Sequence, residues 1–504
     1  MKMKILIASF VVVCSVSYAQ IKYPFKSFNE FVIKMDSVCN ITNETLRVNS
    51  IQSLWDTLKV HNKIPFTHGD SVAFLYRGNA SSVVWAGDFN GWNPAQGNYN
   101  GTKIGLSNVW QCIKSFPSKA RLDYKIVLGS SWITDPENPY YQYSGIGTTN
   151  SELRMPDWIY PVETVRNPLI AAGKMSDYTP IASTNLSYTV YFRVYTPAGY
   201  DLSAKLPVIY VTDGHEYSDD RLGSMTAVLD NLISAKRIKP VIAVFIDPRS
   251  TPNSSGTNRR GSEYPINKKY ADFVCDELIP LIDSNYKTNK SPYARAILGT
   301  SLGGINSAYF GYYRSDVFRL IGINSPAFWY KPEIFTYYQI TENLPIKIFM
   351  STGTINDTQP QARQMKDLID SKGYPNLYIE VPEGHSWGNW RALIDEMLIY
   401  FFEDEISTGV INQNDIPSDN KLLGNYPNPF NPGTSISYQI AKAGLVQLKI
   451  YDILGNEIDT LINKEQNAGR YEFFWAPKNL SSGVYLCRLI GDKFYFTSKI
   501  VLLK

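Results

Sequence analysis

The stretch that decides the fold is ILGTSLGG, residues Ile297–Gly304, in which one serine stands between glycines at the end of an apolar run. The residues before it, 294–298 (ARAIL), have the composition of a buried strand, and residues 305–313 have that of a helix. Glycines allow the chain to bend sharply between a strand and a helix, and such a turn lifts a hydroxyl clear of the sheet. The stretch therefore predicts that Ser301 is a nucleophile on a strand-to-helix turn.

Residues 177–402 around this turn alternate between apolar strands and amphipathic helices. In one predicted helix, apolar side chains from Tyr270 to Ile282 recur at three- and four-residue spacing. Such alternation predicts an α/β domain whose mostly parallel sheet has helices on both faces. Besides 294–298, five strands are predicted: Tyr188–Tyr195, Leu206–Thr212, Val241–Ile246, Ile346–Ser351 and Leu377–Val381.

A serine hydroxyl needs a neighbouring base, and the sequence holds four histidines from which to choose it. His61 and His68 precede the α/β region, which leaves His215 and His385. His385 lies in EGHSW, in the loop between the last predicted strand and the last predicted helix. In catalytic triads of a serine on such a turn, an acid and a histidine, the histidine comes last along the chain. His385 is therefore predicted as the general base.

The acid of such a triad falls between the serine and the histidine in chain order. The loop TGTIND, residues 352–357, follows a late strand and supplies Asp357. Its expected task is to hold one imidazole tautomer and to stabilise the imidazolium that forms. Glu383 is the nearest rival, but from two residues before His385 its side chain would have to double back.

Two backbone N–H groups are candidates for an oxyanion hole. One belongs to Leu302, the residue after the nucleophile, and the other to His215, in the loop after the second predicted strand. A metal site formed by His215, Glu216 and Asp219 is the competing interpretation. No second histidine stands at ligand spacing, so neither a metal nor a cofactor is predicted.

Residues 1–19 have the layout of a signal peptide. Two lysines precede an apolar run, and the small residues around Ala19 suit cleavage before Gln20. Cys14 raises the alternative of a lipid anchor, but Val13 is larger than the residue that normally precedes a lipidated cysteine. Residues 20–63, which follow, show a helical pattern.

Residues 64–160 change to short apolar runs separated by Asn-Gly and glycine-rich turns, which predicts a small β-sandwich. Three tryptophans in this region, Trp85, Trp92 and Trp132, have two interpretations. They are either platforms that stack on sugar rings or, as is more common for aromatic residues of small sandwiches, part of the core.

Residues 403–424 form a predicted polar linker, and residues 425–504 form a further all-β segment. Apolar residues alternate there, as in 436–440, and Gly-Asn and Gly-Asp pairs at 455–456 and 491–492 stand where hairpin turns belong. A small C-terminal β-sandwich is therefore predicted.

The bulk composition is that of a globular protein, with 44% hydrophobic and 19% charged residues. Without the two lysines of residues 1–19 the net charge is about +1, which argues against a nucleic-acid partner. The sequence contains no internal run of about 20 apolar residues, the length that a membrane span needs.

Four cysteines without CxxC spacing are expected to be buried thiols, with one long-range disulfide as the alternative: Cys39, Cys112, Cys275 and Cys487.

Six motifs follow one another along the chain: VIYVTDGHEY (208–217), RGSEYP (260–265), DFVCDELIPLID (272–283), LGTSLGG (298–304), SPAFWY (325–330) and VPEGHSWGNW (381–390). Together they resemble the α/β-hydrolase family that includes esterase D, enterochelin esterases, mycolyltransferases, and the feruloyl and acetyl-xylan esterases of carbohydrate esterase family one. The resemblance implies a triad of Ser301, Asp357 and His385, with His215 and Leu302 as oxyanion donors and no cofactor.

The flanking regions carry resemblances of their own. VVWAGDFNGWNP (83–94) and WITDPENP (132–139) resemble the immunoglobulin-like sandwich that precedes the catalytic domain in isoamylases, a carbohydrate-binding module in some members. NYPNPFNPGTSISYQI (425–440) and LSSGVYLCRL (480–489) are similar to the C-terminal sorting domain recognised by the type IX secretion system. This second resemblance implies export through the periplasm to the cell surface or the medium.

The sequence thus predicts an α/β-hydrolase domain between two β-sandwiches, in a secreted serine esterase. Acetyl or feruloyl esters of plant cell-wall polysaccharide, above all xylan, are the favoured substrates, by analogy. Trp329 and Trp387 are candidates to line the acyl pocket, or else core residues. The alternatives are an enterochelin (siderophore) esterase, an acyltransferase, and a catalytically inactive carbohydrate-binding protein.

Overall fold

The structure is a computed structural model of the 504-residue chain. It describes residues 25–145, 147–200, 205–252, 256–403, 419–426, 428–431, 433–466, 468–475, 477 and 480–503. The predicted signal peptide, 1–19, and most of the predicted linker, 403–424, lie outside the described residues. The chain divides into two compact units, Met1–Glu403 and Asp404–Lys504.

The described part of the first unit begins with two helices, α1 (Phe28–Cys39) and α2 (Glu44–Val60), whose first turns are capped by the side chains of Ser27 and Asn43. Nine strands follow: β1 (Phe66–His68), β2 (Ser71–Arg77), β3 (Val84–Gly87), β4 (Thr102–Lys103), β5 (Val109–Ser115), β6 (Arg121–Leu128), β7 (Ser131–Ile133), β8 (Tyr141–Tyr143) and β9 (Thr149–Arg154). They form two sheets, with strand orders β1-β2-β5-β4 and β3-β6-β9-β8, and β7 pairs with β6.

Strand β2 shows how these layers pack. Its apolar run is continuous because both of its faces are buried. Ala73 and Leu75 share one core with α1 and α2, whereas Val72 and Phe74 share a second core with Trp85 of the other sheet. The two sheets therefore pack face to face. They are called the N-terminal sheets below. Their classification as an immunoglobulin-like sandwich stays a prediction.

The three tryptophans of the N-terminal sheets differ in exposure. Trp85 is fully buried, so it is a core residue. Trp132, on β7, is 42% exposed, and its ring stacks on that of Trp92 with 6.5 Å between centroids. Trp92 and Trp132 therefore present an aromatic surface.

The rest of the first unit is built on one nine-stranded sheet. Its strands are β10 (Lys174–Met175), β11 (Thr179–Ser183), β12 (Tyr188–Thr196), β13 (Val208–Val211), β14 (Ile242–Asp247), β15 (Arg295–Thr300), β16 (Leu320–Asn324), β17 (Lys347–Gly353) and β18 (Asn376–Val381). The order is β10-β12-β14-β13-β15-β16-β17-β18, with β11 on β12, and all pairs from β14 to β18 are parallel. The six predicted strands are confirmed within two residues, whereas β10, β11 and β16 were not predicted.

Ten helices lie among the described residues of this region: α3 (Gly214–Tyr217), α4 (Met225–Ser234), α5 (Arg260–Glu263), α6 (Lys268–Asp272), α7 (Ile279–Asn285), α8 (Leu302–Tyr313), α9 (Glu333–Ile340), α10 (Gln359–Ser371), α11 (Trp387–Arg391) and α12 (Ile394–Phe402). A π-helical segment, Phe273–Leu278, interrupts the single helix predicted from Tyr270 to Ile282. Val208 and Tyr210 of β13 lie in a core with α8, and Ile209 and Val211 lie in a core with α12 on the other face. The α/β class is thus confirmed.

In its described residues the second unit forms strands β19 (Lys421–Tyr426), β20 (Thr434–Ile440), β21 (Gly444–Tyr451), β22 (Glu457–Gln466), β23 (Gly469–Trp475), β24 (Gly483–Gly491) and β25 (Phe494–Leu502). They form the sheets β19-β20-β23 and β22-β21-β24-β25. Ile436 and Tyr438 from the first sheet share one core with Val446 and Leu448 from the second. Alternate residues of each strand therefore face a common core between two layers.

The four cysteines of the described residues are distributed over both units. All four, Cys39, Cys112, Cys275 and Cys487, are buried and carry free thiols. The expectation of buried thiols is confirmed.

Candidate active site

Ser301 lies on the turn between β15 and α8. Its backbone has φ 58° and ψ −115°, a conformation that residues with a side chain rarely adopt. Its N–H donates to the Asn324 carbonyl at 3.0 Å, and its carbonyl accepts from the Ala327 N–H at 2.9 Å. A Cβ at Gly299 would lie 2.2 Å from the Gly303 carbonyl oxygen, so this position requires glycine. The surrounding backbone therefore holds the serine in a strained turn at the end of the sheet.

The imidazole of His385 lies between Ser301 and Asp357. Its Nε2 is 3.1 Å from Ser301 Oγ, and its Nδ1 is 2.6 Å from Asp357 Oδ1. The ring packs edge-to-face against Trp390, with centroids 4.9 Å apart. Because 35% of the His385 side chain is exposed, a substrate from solvent has access to the ring. The structure brings together the three residues that chain order suggested.

The carboxyl group of Asp357 is fully buried and extensively hydrogen-bonded. Its Oδ2 accepts from the Ser325 hydroxyl and from the Gly353 N–H, both at 2.6 Å. The Trp390 indole N–H donates to Ser325 Oγ at 2.9 Å and so orients that hydroxyl. Burial alone would raise the pKa of Asp357, but these hydrogen bonds and the one with His385 hold it below its ordinary value. Asp357 is therefore a carboxylate.

Glu383, the rival acid, points away from the imidazole. Its Oε1 accepts from the Trp158 indole at 3.1 Å, and its Oε2 lies 4.0 Å from Arg121 Nη1. Burial raises the pKa of this carboxyl to about 7. Among the described residues, its side chain makes no hydrogen bond to His385.

The two N–H groups considered for an oxyanion hole each lie in the first turn of a helix. Leu302 opens α8, and His215 is the second residue of α3; N–H groups at such positions have no intrahelical acceptor. The two turns adjoin, because a Cβ at Gly303 would meet the Thr212 hydroxyl at 2.8 Å. Both donors therefore lie on neighbouring turns beside Ser301.

The side chain of His215 is mostly buried. Its Nδ1 is 3.7 Å from Asp247 Oδ1, and its Nε2 is 3.9 Å from Glu216 Oε1. Burial lowers the pKa of His215 in spite of the Asp247 carboxylate. Asp219, the third residue of the alternative metal site, binds Arg221 instead. Across the part of the chain that the structure describes, no group of three His, Cys, Asp or Glu side chains is placed to hold a metal ion.

The two tryptophans considered for an acyl pocket differ. Trp329 is 60% exposed and lies two residues after Ala327, whose N–H binds the Ser301 carbonyl. Trp387 is 3% exposed and packs edge-to-face against Tyr217. Trp329 is thus free to contact a substrate. Trp387 is instead a core residue, which corrects the prediction that it lines the acyl pocket.

Sequence reasoning missed the side chains that hold the acid and the base. Ser325 stands in the motif SPAFWY, but nothing in the motif shows that its hydroxyl binds Asp357. Arg121 of β6 donates from Nη1 to the Ser386 hydroxyl at 3.0 Å, across 265 residues of sequence. No local pattern marks a contact of this range.

A hydroxyl, an imidazole and a carboxylate in this arrangement at the end of a parallel sheet define the class of α/β serine hydrolases. Residues 183–401 match the family model described as "Putative esterase", and residues 425–503 match the model described as "Secretion system C-terminal sorting domain". The α/β domain therefore matches this esterase family, and the chain is an esterase.

Individual relatives are each similar to part of this chain. Uncharacterized protein YjcH of Bacillus subtilis (strain 168) is 26% identical over 231 residues, 43% of this chain and 92% of that protein. An endo-1,4-beta-xylanase/feruloyl esterase of Xylanibacter ruminicola is 26% identical over 220 residues, 42% of this chain and 29% of that protein. The crystal structure of an enterobactin esterase of Shigella flexneri, in the presence of enterobactin, is 19% identical. It aligns with a TM-score of 0.54 over 65% of this chain and 92% of that one, which is a likeness of fold.

The sorting domain bears on where the esterase works. It indicates export to the cell surface or the medium and implies handling by the type IX secretion machinery. Within the described ranges, no helix combines the length and the apolar character needed to cross a membrane.

Proposed function

We propose that this esterase works through a Ser–His–Asp acyl-enzyme mechanism. The observation that carries the proposal is the pair of contacts of His385, 3.1 Å to Ser301 Oγ and 2.6 Å to Asp357 Oδ1. Because the Asp357 carboxylate only accepts hydrogen bonds, Nδ1 of His385 carries the ring proton. Nε2 is then free to accept the proton of Ser301.

In the first half of the reaction, Ser301 Oγ attacks the ester carbonyl carbon while His385 Nε2 takes the hydroxyl proton. The backbone N–H groups of His215 and Leu302 stabilise the negative oxygen of the tetrahedral intermediate. The intermediate expels the alcohol, which receives its proton from the imidazolium, and the acyl group stays on Ser301. In the second half, His385 deprotonates a water molecule, whose attack on the acyl-enzyme releases the acid.

We further propose that the substrate is an acetyl or feruloyl ester of plant cell-wall polysaccharide, such as xylan. Exposed Trp329 offers a flat apolar surface near Ser301. The stacked pair of Trp92 and Trp132 offers a second aromatic surface, on the N-terminal sheets, against which sugar rings can pack. The relative from Xylanibacter ruminicola is named for both xylanase and feruloyl esterase activity. Export would bring the enzyme to insoluble polysaccharide.

A siderophore trilactone is the second candidate substrate. The alignment with the enterobactin esterase covers 65% of this chain, which extends beyond residues 183–401. The same triad would hydrolyse either type of ester. The sorting domain weighs against this candidate, because an imported siderophore is hydrolysed inside the cell.

The experiment that tests the proposed function offers xylo-oligosaccharide esters and a catecholate trilactone separately to the purified protein. With feruloylated and acetylated xylo-oligosaccharides, released ferulate and acetate are measured. We expect one of the two acids to be released by the wild type and neither by Ser301→Ala. Hydrolysis of a catecholate trilactone without release of either acid would favour the second candidate.

Ser307→Ala is the matched control for the loss of one hydroxyl. Ser307 is buried in α8, six residues after the nucleophile, and among the described residues its hydroxyl has no hydrogen-bond partner. This variant should retain the activity of the wild type. Equal activity of Ser301→Ala and Ser307→Ala would contradict the proposed nucleophile.

A further inference from the structure

Arg121, at the start of β6, links the N-terminal sheets to the loop that carries His385. Its side chain is fully buried, and its Nη1 donates to the Ser386 hydroxyl at 3.0 Å. The backbones of Arg121 and Glu383 form an isolated parallel bridge, and a Cβ at Gly388 would lie 2.0 Å from the guanidinium carbon. The guanidinium therefore lies directly against residues on both sides of the base.

The orientation of Arg121 is fixed from within the N-terminal sheets. Its Nε binds Glu152 Oε1 at 2.6 Å, and its Nη2 binds Asp123. Burial would lower the pKa of Arg121, but the carboxylates of Asp123, Glu152 and Glu383 hold it above its ordinary value. A planar guanidinium clamped at two of its nitrogens can direct the third in only one way, so the donor to Ser386 has a fixed direction.

The loop that carries Asp357 is held by the same sheets. Asn356 Nδ2 donates to the Asp88 carbonyl at 2.8 Å, and Ile355 packs against the core between the N-terminal sheets. A Cβ at Gly384 would lie 2.3 Å from the Asp88 carboxyl carbon. Asp88 therefore contacts the residue before the acid and the residue before the base.

Strand β8 contacts the segment that follows α3, the helix that carries His215, and the segment after β8 contacts α3 itself. Gln142 Nε2 donates to the Arg221 carbonyl at 2.9 Å, and a Cβ at Gly145 would lie 2.6 Å from Glu216 Oε1. The N-terminal sheets thus contact all three segments that supply the base, the acid and one oxyanion donor of the proposed site.

We propose that the N-terminal sheets are a positioning element of the esterase site and that Arg121 is the positioning residue for His385. This inference rests on the triad of the proposed function. A catalytic group displaced by about 1 Å loses about 100-fold in rate, and Arg121 fixes the residue next to the base. The sheets therefore affect the turnover of a small soluble ester, which offers no sugar for a carbohydrate-binding module to hold.

The test compares Arg121→Met with Arg295→Met in the full chain, with p-nitrophenyl acetate as substrate and well below both melting temperatures. Arg295 is also a buried arginine paired with a carboxylate, that of Asp283 at 2.5 Å. It lies at the first residue of β15, however, whereas Ser301 follows the last residue of that strand. We expect Arg121→Met to lower kcat by about 100-fold with KM unchanged. Arg295→Met should lower the melting temperature and leave kcat within about twofold.

Ser386→Ala is a milder variant that keeps the inference testable if Arg121→Met fails to fold. Ser386 precedes α11, but its hydroxyl makes no capping hydrogen bond, so alanine removes chiefly the contact with Arg121. We expect kcat to fall by about tenfold with KM unchanged. Ser386→Thr keeps a hydroxyl and should restore most of the lost kcat.

Two failures of this experiment have different meanings. Wild-type kcat in Arg121→Met, or in Ser386→Ala where Arg121→Met fails to fold, would overturn the positioning role and leave Arg121 as a structural ion pair. Hydrolysis by Ser301→Ala at the wild-type rate would instead overturn the proposed triad.

Discussion

Replacing Asp357 by Asn would reverse the polarity of one hydrogen bond at the base. Oδ2 of Asp357 accepts from the Gly353 N–H and the Ser325 hydroxyl, so the variant amide places its oxygen there and its NH2 group toward His385. Nδ1 of His385 must then accept, the ring proton moves to Nε2, and Nε2 can no longer take the proton of Ser301. Such a loss of the base costs about 10⁴ in kcat, or about 5.5 kcal/mol of transition-state stabilisation.

The assay for this variant is steady-state hydrolysis of p-nitrophenyl acetate, with kcat and KM determined separately. We expect a fall of about 10⁴ in kcat and little change in KM. Glu383→Gln is the matched control, because it converts the rival carboxyl into an amide, and it should lose less than about tenfold. A loss below tenfold for Asp357→Asn, or a larger loss for Glu383→Gln, would refute the assignment of the acid.

Three further predictions concern stability and substrate choice. Burial raises the pKa of Glu383 from 4.5 to about 7, so the folded chain binds the carboxyl proton of Glu383 more tightly than the unfolded chain does. The free energy of unfolding therefore falls as the pH rises from about 4.5 to about 7. Relative to Glu383→Gln, the wild type should lose about 2–3 kcal/mol of unfolding free energy between pH 5 and pH 8 in denaturant titrations, and parallel curves would contradict this. Gly299→Ala places a Cβ 2.2 Å from the Gly303 carbonyl oxygen, so the melting temperature should fall by about 5 °C or more, and an unchanged value would mean that the turn relaxes freely. Trp329→Ala should raise KM about fivefold for a feruloyl ester and less for an acetyl ester, and an equal change for both would remove Trp329 from the acyl site.

Much of the α/β sheet was predictable because its central strands, such as β13, β14 and β15, are fully buried and largely apolar runs between turn residues. Strand β16, Leu320–Asn324, was missed because it is short, contains a glycine and follows the end of α8 closely. The π-helical segment was missed because its side chains keep the spacing of an ordinary helix. Local composition predicts that an element exists better than it predicts irregularities within it.

The candidate site divides along similar lines. Ser301 and His385 stand in short motifs whose context, a strand before and a helix after, is readable from the sequence. Ser325 and Arg121 are ordinary in their local surroundings, and they reach the site only because distant segments fold together. The exposure of Trp329 and the burial of Trp387 likewise depend on packing rather than on neighbouring residues.

The nucleophile is tested most directly by covalent trapping. The protein is treated with diethyl p-nitrophenyl phosphate, digested and analysed by mass spectrometry while residual esterase activity is followed. We predict one diethylphosphoryl group on Ser301, with activity lost in proportion to labelling, and no such label on the Ser301→Ala protein. A label on another serine that accounts for the loss of activity, or full hydrolysis by Ser301→Ala, would contradict the assignment of Ser301.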